Sequence, residues 1–206
     1  MSAPDGTGAT GPKRRSDAER NRARIVQTAR RLYREVGPDV ALDAIATAAG
    51  VGNATLYRHF PDRATLRTAV LRERLREVDD LLATIPDDED PWAALERYLR
   101  FLASIPDNTL VEVLVTPPED TPDVRVERER IRPAVEALLS RARAAGVLIA
   151  DYTLEDMNVF LFAHAKAASS PRIDAAAAAR LLDVHLAGIQ PPAPDRRGGR
   201  DARRSP

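Results

Sequence analysis

Residues 42–60 hold two short amphipathic stretches divided by Gly50-Val51-Gly52, and few folds accept such a pair. In the first, Leu42, Ile45, Ala46 and Ala49 fall on one face at helical spacing. In the second, about Asn53–Phe60, Leu56 and Phe60 make an inner side, while Asn53, Thr55, Tyr57, Arg58 and His59 make an outer one. The turn between them needs a residue tolerant of positive φ, which Gly50 supplies. Val51 can plug the angle between the helices. Two short helices joined by a tight glycine turn and packed on a longer first helix form a helix-turn-helix pattern.

The rest of the chain reads as helices punctuated by glycine and proline. Ser16 followed by Glu19 is a capping box that predicts the start of the first helix. Ile25, Ala29, Leu32, Tyr33 and Val36 then repeat at helical spacing, and Gly37-Pro38 ends the run. Pro61-Asp62 breaks the second short helix, and Asp62 can cap a longer one over 63–83, with Leu71, Leu75, Val78 and Leu82 as its stripe. Further helices are predicted over 91–104, 108–115, 122–145, 153–169 and 173–189, with Thr153 and Asp156 as a second capping-box start. Pro133 should kink or split the 122–145 stretch. No internal repeat and no useful strand-like alternation is present, so the fold class is all-α. The predicted division is a disordered basic arm over 1–15, a helix-turn-helix unit over 16–62, a helical body over 63–189 whose first helix (63–83) connects the two, and a disordered tail over 190–206.

Composition narrows the function classes. Hydrophobic residues make up 44% and there is no cysteine, which excludes disulfides, thiolate metal sites and cysteine redox sensing. His59, His164 and His185 are the only histidines, which speaks against a histidine-rich metal site. Asp87–Asp90 could hold a cation, but loop acids are usually just solvated, so no metal site is assigned. No cofactor is implied. No apolar run reaches membrane-spanning length and residues 1–12 lack a signal-peptide core, so a cytoplasmic protein with no membrane partner is expected. The net charge of zero hides a polarity. Residues 1–76 carry 15 Lys and Arg against 8 Asp and Glu, and residues 77–190 carry 11 against 21. A basic front on an acidic body is what a chain shows when only its front meets a polyanion, although solvated helix faces alone give the same count.

The residues themselves are more specific than the pattern. Ile45-Ala46-Thr47-Ala48-Ala49-Gly50-Val51, Thr55-Leu56-Tyr57-Arg58-His59-Phe60 and Pro61-Asp62-Arg63-Ala64-Thr65-Leu66 closely resemble the signature of the TetR (tetracycline-repressor) family over about residues 17–82. Tyr-Arg-His-Phe, with Gly146-Val-Leu before Tyr152-Thr153, looks like an actinobacterial branch. The resemblance implies a sequence-specific DNA-binding transcriptional regulator, most simply a repressor released from a palindromic operator by a small-molecule effector. Its partners would be double-stranded operator DNA, a second copy of the chain and that unidentified effector.

By the same resemblance, Asn53, Ala54 and Thr55 open the recognition helix, Tyr57 matches a phosphate-contacting tyrosine, and Arg58 and His59 stand beside it. Arg63 matches a phosphate-holding residue at the start of the fourth helix, and Thr47 a second-helix contact. Two departures stand out. Val40-Ala41 replace the usual Thr or Ser entering the second helix, and Gly52-Asn53 replace a hydroxyl and a basic residue at the third. Asp43 can offset the missing cap through the helix dipole. Phosphate contacts should therefore shift toward Arg22, Arg24, Arg58, Arg63 and Lys13-Arg14-Arg15.

Beyond residue 80 there is no phosphate loop, no His/Glu metal pair and no nucleophile elbow, so an enzyme is not expected. The family resemblance implies ligand binding and a four-helix dimer interface there. Leu154, Met157, Leu161 and Ala165, with Leu182, Leu186 and Ile189, form a packing seam that would suit the interface; the alternative is that they are intramolecular core. Trp92, Leu95, Leu99, Leu102, Leu114, Phe160 and His164 would line an apolar pocket with one polar handle, although a lone histidine among apolar residues is more often simply satisfied in a core. The competing function is a helical small-molecule-binding protein or enzyme without operator binding; another is an architectural DNA-binding protein without a ligand.

Overall fold

The computed structural model describes residues 12–37, 39–105 and 122–192, and every regular element among them is a helix. In chain order these are α1 (Pro12–Glu35), α2 (Leu42–Ala48), α3 (Asn53–His59), α4 (Arg63–Ala83), α5 (Pro91–Ser104), α6 (Pro122–Ala144), α7 (Leu154–Ala168) and α8 (Ala175–Gly188). The arm over residues 1–11, the helix expected over 108–115, Pro38 and the tail over 193–206 lie outside the described residues.

Local chemistry explains most boundaries. The Asp62 carboxylate accepts from the Thr65 amide at 2.7 Å and from its hydroxyl at 2.8 Å, capping α4 at the predicted place. These bonds hold the Asp62 carboxyl below its ordinary range, the Thr65 amide contributing most. Thr153 and Asp156 form the reciprocal capping box of α7. Asp90 caps α5 through the Ala93 amide at 2.8 Å, with Pro91 in the first turn, and Asp174 caps α8 through Ala177 at 2.7 Å.

Three expectations about helix bounds are corrected. α1 begins at Pro12, not Ser16, so Ser16 sits inside the helix and its hydroxyl accepts from Arg20 rather than capping. Proline is well suited to a first helical position, where its missing N–H is not needed. At the other end, Val36 lies past the helix and is 69% exposed rather than continuing the stripe, while Val26 joins the core instead. Pro133 does not split α6, which runs unbroken through it. Packing of Ile131, Val135, Leu138 and Leu139 offsets the one intrahelical hydrogen bond that a proline lacks.

Buried side chains form two clusters. The front one gathers Ile25, Val26, Ala29 and Tyr33 of α1, Leu42, Ile45 and Ala46 of α2, Leu56 and Phe60 around α3, and Leu66, Ala69 and Val70 of α4. The rear one gathers Leu71, Leu75 and Val78 of the same α4 with residues of α5, α6, α7 and α8. A single helix therefore belongs to both cores. Arg30 of α1 clasps Glu77 of α4 at 2.6 Å where the clusters meet.

Candidate nucleic-acid interface

The angle between α2 and α3 is set by a hydrogen-bonded stop. Gly50 adopts φ +63. Its amide donates to the Thr47 carbonyl at 3.1 Å, and the Val51 amide donates to Ala46 at 3.0 Å. These are the two bonds of a Schellman motif, which requires a left-handed residue where Gly50 stands. Val51, the residue after it, packs against the front core, as a wedge between the helices. Gly52 then opens α3 with ordinary extended geometry and no side-chain cap, and Ala41 opens α2 likewise. Both helix entries thus lack a hydroxyl.

Leu56 and Phe60 are 0% and 1% exposed, which pins the inner side of α3 and turns its opposite side to solvent. Asn53, Ala54, Tyr57 and Arg58 are exposed together on that outer side. Arg58 is held by no ion pair among the described residues. Thr55 is half-buried. His59 is half-buried too, its Nε2 enclosed without a hydrogen-bond partner among the described residues. Desolvation, then the nearby Arg58 and Arg22, push its pKa below the ordinary 6.5. The Arg22 guanidinium lies over the Phe60 ring, 5.3 Å from its centroid, which ties α1 to the end of α3. Arg24 is exposed and donates to Asn21.

The second helix flanks this surface. Thr47 is exposed, and its hydroxyl donates back to the Asp43 carbonyl at 2.9 Å. Arg63 is exposed and reaches Asp39 at a loose 3.8 Å. Sequence reasoning missed one feature: the Tyr57 hydroxyl donates to the Asp43 carboxylate at 3.3 Å. That neighbouring negative charge raises the Tyr57 pKa. The two residues are fourteen apart and meet only because the glycine turn folds α3 back beside α2, so no local spacing rule could have found the pair. Asp43 sits in the first turn of α2, where it also complements the helix dipole.

The residues expected to form one rear pocket are not gathered around a single cavity among the described residues. Leu95, Leu99 and Leu102 are buried core, Trp92 packs partly buried against them, and Leu114 lies outside the described residues. Phe160 stacks flat on His185, with centroids 3.5 Å apart, and the His164 Nε2 is hydrogen-bonded to the Ala178 carbonyl at 3.1 Å. Trp92, Leu95, Leu99, Leu102, Phe160 and His164 do not line the cavity of about 230 Å³ that opens between α4, α5, α6 and α7, whereas His164 lines another of about 370 Å³ with Arg100, Ile105, Ala178 and Leu182. The wall of the smaller cavity is Leu75, Val78, Tyr98, Ile131, Val135, Leu154 and Met157, with Arg128, Glu129, Arg132 and Asn158 as polar members. The expected dimer seam is likewise corrected. Met157, Leu161, Ala165, Leu182, Leu186 and Ile189 are all buried within one chain, and Leu154 is half-buried beside them. They pack on their own core, and of the seven only the half-buried Leu154 keeps appreciable surface for a partner. The exposed large apolar residues of these two helices are instead Val159, Leu181 and Val184.

Known proteins resemble this chain along both cores. The family model "Bacterial regulatory proteins, tetR family" matches residues 25–70. The model "Transcriptional regulator SbtR-like, C-terminal domain" matches residues 90–191. A solved TetR transcriptional regulator from Streptomyces coelicolor is 36% identical, with 84% of this chain and 99% of that one covered and a TM-score of 0.57. A TetR regulatory protein from Mycobacterium vanbaalenii is 31% identical over 86% of this chain and 99% of that one, with a TM-score of 0.55. Among curated relatives, an HTH-type transcriptional regulator from Staphylococcus aureus is 37% identical over 75 residues, 36% of this chain and 40% of that protein. The match therefore spans well under half the length of that curated relative. Successive matches to a front and a rear family model, joined to likeness along nearly the whole length of two solved regulators, settle the lineage: this chain belongs to the TetR family of bacterial regulatory proteins.

Proposed function

We propose that the chain is a homodimeric transcriptional repressor that reads a palindromic operator with α3 and is released from it by a small molecule bound in the rear half. The observation that carries this reading is the outer side of α3. A helix whose inner residues are fully buried presents Asn53, Ala54, Tyr57 and Arg58 together, beside the exposed Thr47 and Arg63. All but Ala54 are hydrogen-bonding side chains that major-groove edges and phosphates select, and Ala54 offers an apolar contact. In this reading residues 16–62 contain the reading unit, residues 63–189 hold the effector and the dimer contact, and α4 joins them. Tyr57, Arg58 and Arg63 anchor the helix to the backbone, and Thr55 and His59 sit at the edge of the contact.

Dimerisation falls to the face that the chain leaves uncovered. Val159 is 54% exposed, Leu181 40% and Val184 62%, on helices whose other sides are already packed. Pairing α7 and α8 with their mates would bury this face and set two α3 helices about one DNA turn apart. The effector then acts by favouring the pair spacing that fits DNA poorly, since a ligand shifts an equilibrium only by its difference in affinity for the two states.

The test is binding of the full chain to the DNA upstream of its own gene, followed by fluorescence anisotropy across a salt series. Log affinity should fall linearly with log salt, and Arg58→Ala should flatten the slope by about one if its guanidinium neutralises one phosphate. Wild-type binding by both Arg58→Ala and Tyr57→Phe would remove α3 from the proposed interface.

A further inference from the structure

The cavity between α4, α5, α6 and α7 has a volume of about 230 Å³. A dry apolar cavity of roughly 150 Å³ takes up benzene, and drug-sized sites begin near about 300 Å³. One ring with a short substituent therefore fits, and a multi-ring molecule does not. Leu75 and Val78 of α4, Ile131 and Val135 of α6, and Leu154 and Met157 of α7 give the ring an apolar bed. The polar part of the wall then decides the class of occupant.

The charged members of the wall are already engaged. Arg132 donates to Glu136 at 2.9 Å, and Glu129 lies near it as well. Arg128 meets Glu129 at 3.8 Å and has a further partner besides. No charge of the wall stands alone, so an ion moved inside would have to displace one of these partners or go unpaired. Burying an unpaired charge is costly, and an uncharged molecule avoids that cost. The Asn158 Oδ1 is enclosed by protein and lies out of an occupant's reach. Tyr98 of α5 is different. It is 2% exposed, and its hydroxyl makes no hydrogen bond with any described residue. Burial alone pushes its pKa up, so the phenol keeps its proton and remains a donor. A buried donor without an acceptor is costly, and an occupant that accepts from it removes that cost.

We propose that this cavity takes an uncharged, single-ring compound with a carbonyl oxygen on a short arm, and that this oxygen accepts from the Tyr98 hydroxyl while the ring lies against Leu75 and Val78. The proposal rests on the regulatory reading above and names the chemical class of its effector. Leu75 and Val78 belong to α4, the helix shared with the front core, so the ring touches the element that joins the two halves.

Four shape-matched probes test it on the full chain: acetophenone, α-methylstyrene with a methylene in place of the oxygen, benzoate as the anion and benzamidine as the cation. The two methionines of the chain are Met1 and Met157, and Met157 lines the cavity, so methyl-labelled methionine gives a magnetic-resonance signal that reports on this site. Acetophenone should shift the Met157 signal and bind at least roughly tenfold more tightly than benzoate or benzamidine. Tyr98→Phe should lower the ratio of acetophenone to α-methylstyrene affinity about two- to tenfold, the worth of one neutral hydrogen bond. Differences in hydration between the two probes cancel in that comparison. The thermal midpoint of Tyr98→Phe without any probe should match wild type, since no hydrogen bond is lost. A clear fall would mean that the hydroxyl was already bonded, and would overturn the assignment. So would an unmoved Met157 signal, an ion bound as tightly as acetophenone, or an unchanged ratio in the folded variant. The wild-type ranking stands as a test without the variant. Operator binding, measured on the same preparation, separates the two readings: DNA binding by a chain whose Met157 signal ignores acetophenone sinks the ligand class alone, whereas absence of DNA binding sinks the regulatory reading.

Discussion

Gly50→Ala isolates the backbone requirement of the turn that aims α3. At Gly50, φ is +63, and a Cβ built there meets nothing within 4 Å. The substitution therefore creates no clash, and its cost is conformational. Placing an L-residue in the left-handed region costs about 1–2 kcal/mol, while stiffening the unfolded chain returns about 0.4–1 kcal/mol. The net loss is about 1 kcal/mol. Gly52, two residues on, is the control. It has φ −70, and a Cβ there also meets nothing within 4 Å. Gly52→Ala gains the same unfolded-state term without the left-handed penalty, less a small loss because alanine is a poor N-cap. The difference between the two variants is the left-handed penalty itself, to within a few tenths of a kcal/mol. Thermal unfolding followed by circular dichroism, at one protein concentration, should place Gly50→Ala about 2–4 °C below wild type for a chain of this size, with Gly52→Ala close to wild type. Gly50→Asn should recover part of the loss, since asparagine tolerates this region. Equal midpoints for the two alanine variants would refute the reasoning, because the turn would then not need the conformation it shows.

Three further outcomes follow from other parts of the structure. Asp43→Asn removes a negative charge from the proposed DNA-facing surface while keeping an acceptor for Tyr57, so operator affinity should rise severalfold in low-salt anisotropy; weaker binding would mean that Asp43 itself contacts a base. Val184→Glu puts a charge on the most exposed apolar residue of α8, and sedimentation should show the dimer shifted toward monomer, with a dimer as tight as wild type refuting the proposed face. His185 is half-buried, and desolvation holds its pKa below 6.5, so folding favours its neutral form. That contribution is complete above pH 6.5 and is lost as pH falls through the lower folded-state value; stability should drop on acidification from pH 6.5, and His185→Gln should flatten that drop if the assignment is right.

How much could be read in advance depended on how local the signal was. The Asp62 and Thr153 caps and the Gly50 turn are decided by residues within a few positions, and they appear where the spacing put them. Ser16 misled because a good local cap was overridden by a competing local start at Pro12. The rear half was harder for a different reason. Met157, Leu161, Leu182 and Leu186 repeat at the spacing that both an internal core and a dimer seam require, and periodicity cannot tell one burial from the other. The informative residues were the leftovers, Val159, Leu181 and Val184, which lie off the stripe. The cavity was invisible in sequence because its wall draws on four helices that are brought together only by packing. The Asp43–Tyr57 pair belongs to the same class, and it alters what Tyr57 is doing before DNA arrives.

Those long-range features converge on α4. Its first half supplies Leu66, Ala69 and Val70 to the core that holds α3 in place, and its second half supplies Leu75 and Val78 to the wall of the cavity. Two ion pairs brace it from either side, Arg30 to Glu77 at 2.6 Å and Arg130 to Asp79 at 2.7 Å. Partly exposed pairs of this kind are worth about 0.2–1 kcal/mol each, too little to fix a helix against the binding energy of even a weak effector. Packing is stiffer: separating Leu66 or Phe60 from the front core forfeits about 1.5–3 kcal/mol per side chain. An occupant pressing on Leu75 and Val78 therefore meets less resistance from the ion pairs than from the front core. The front core should travel with α4 as a body, carrying α3 with it, rather than come apart. Under the proposed function, that ordering of strengths would let an occupant in the rear half change the separation of two α3 helices without unfolding either one.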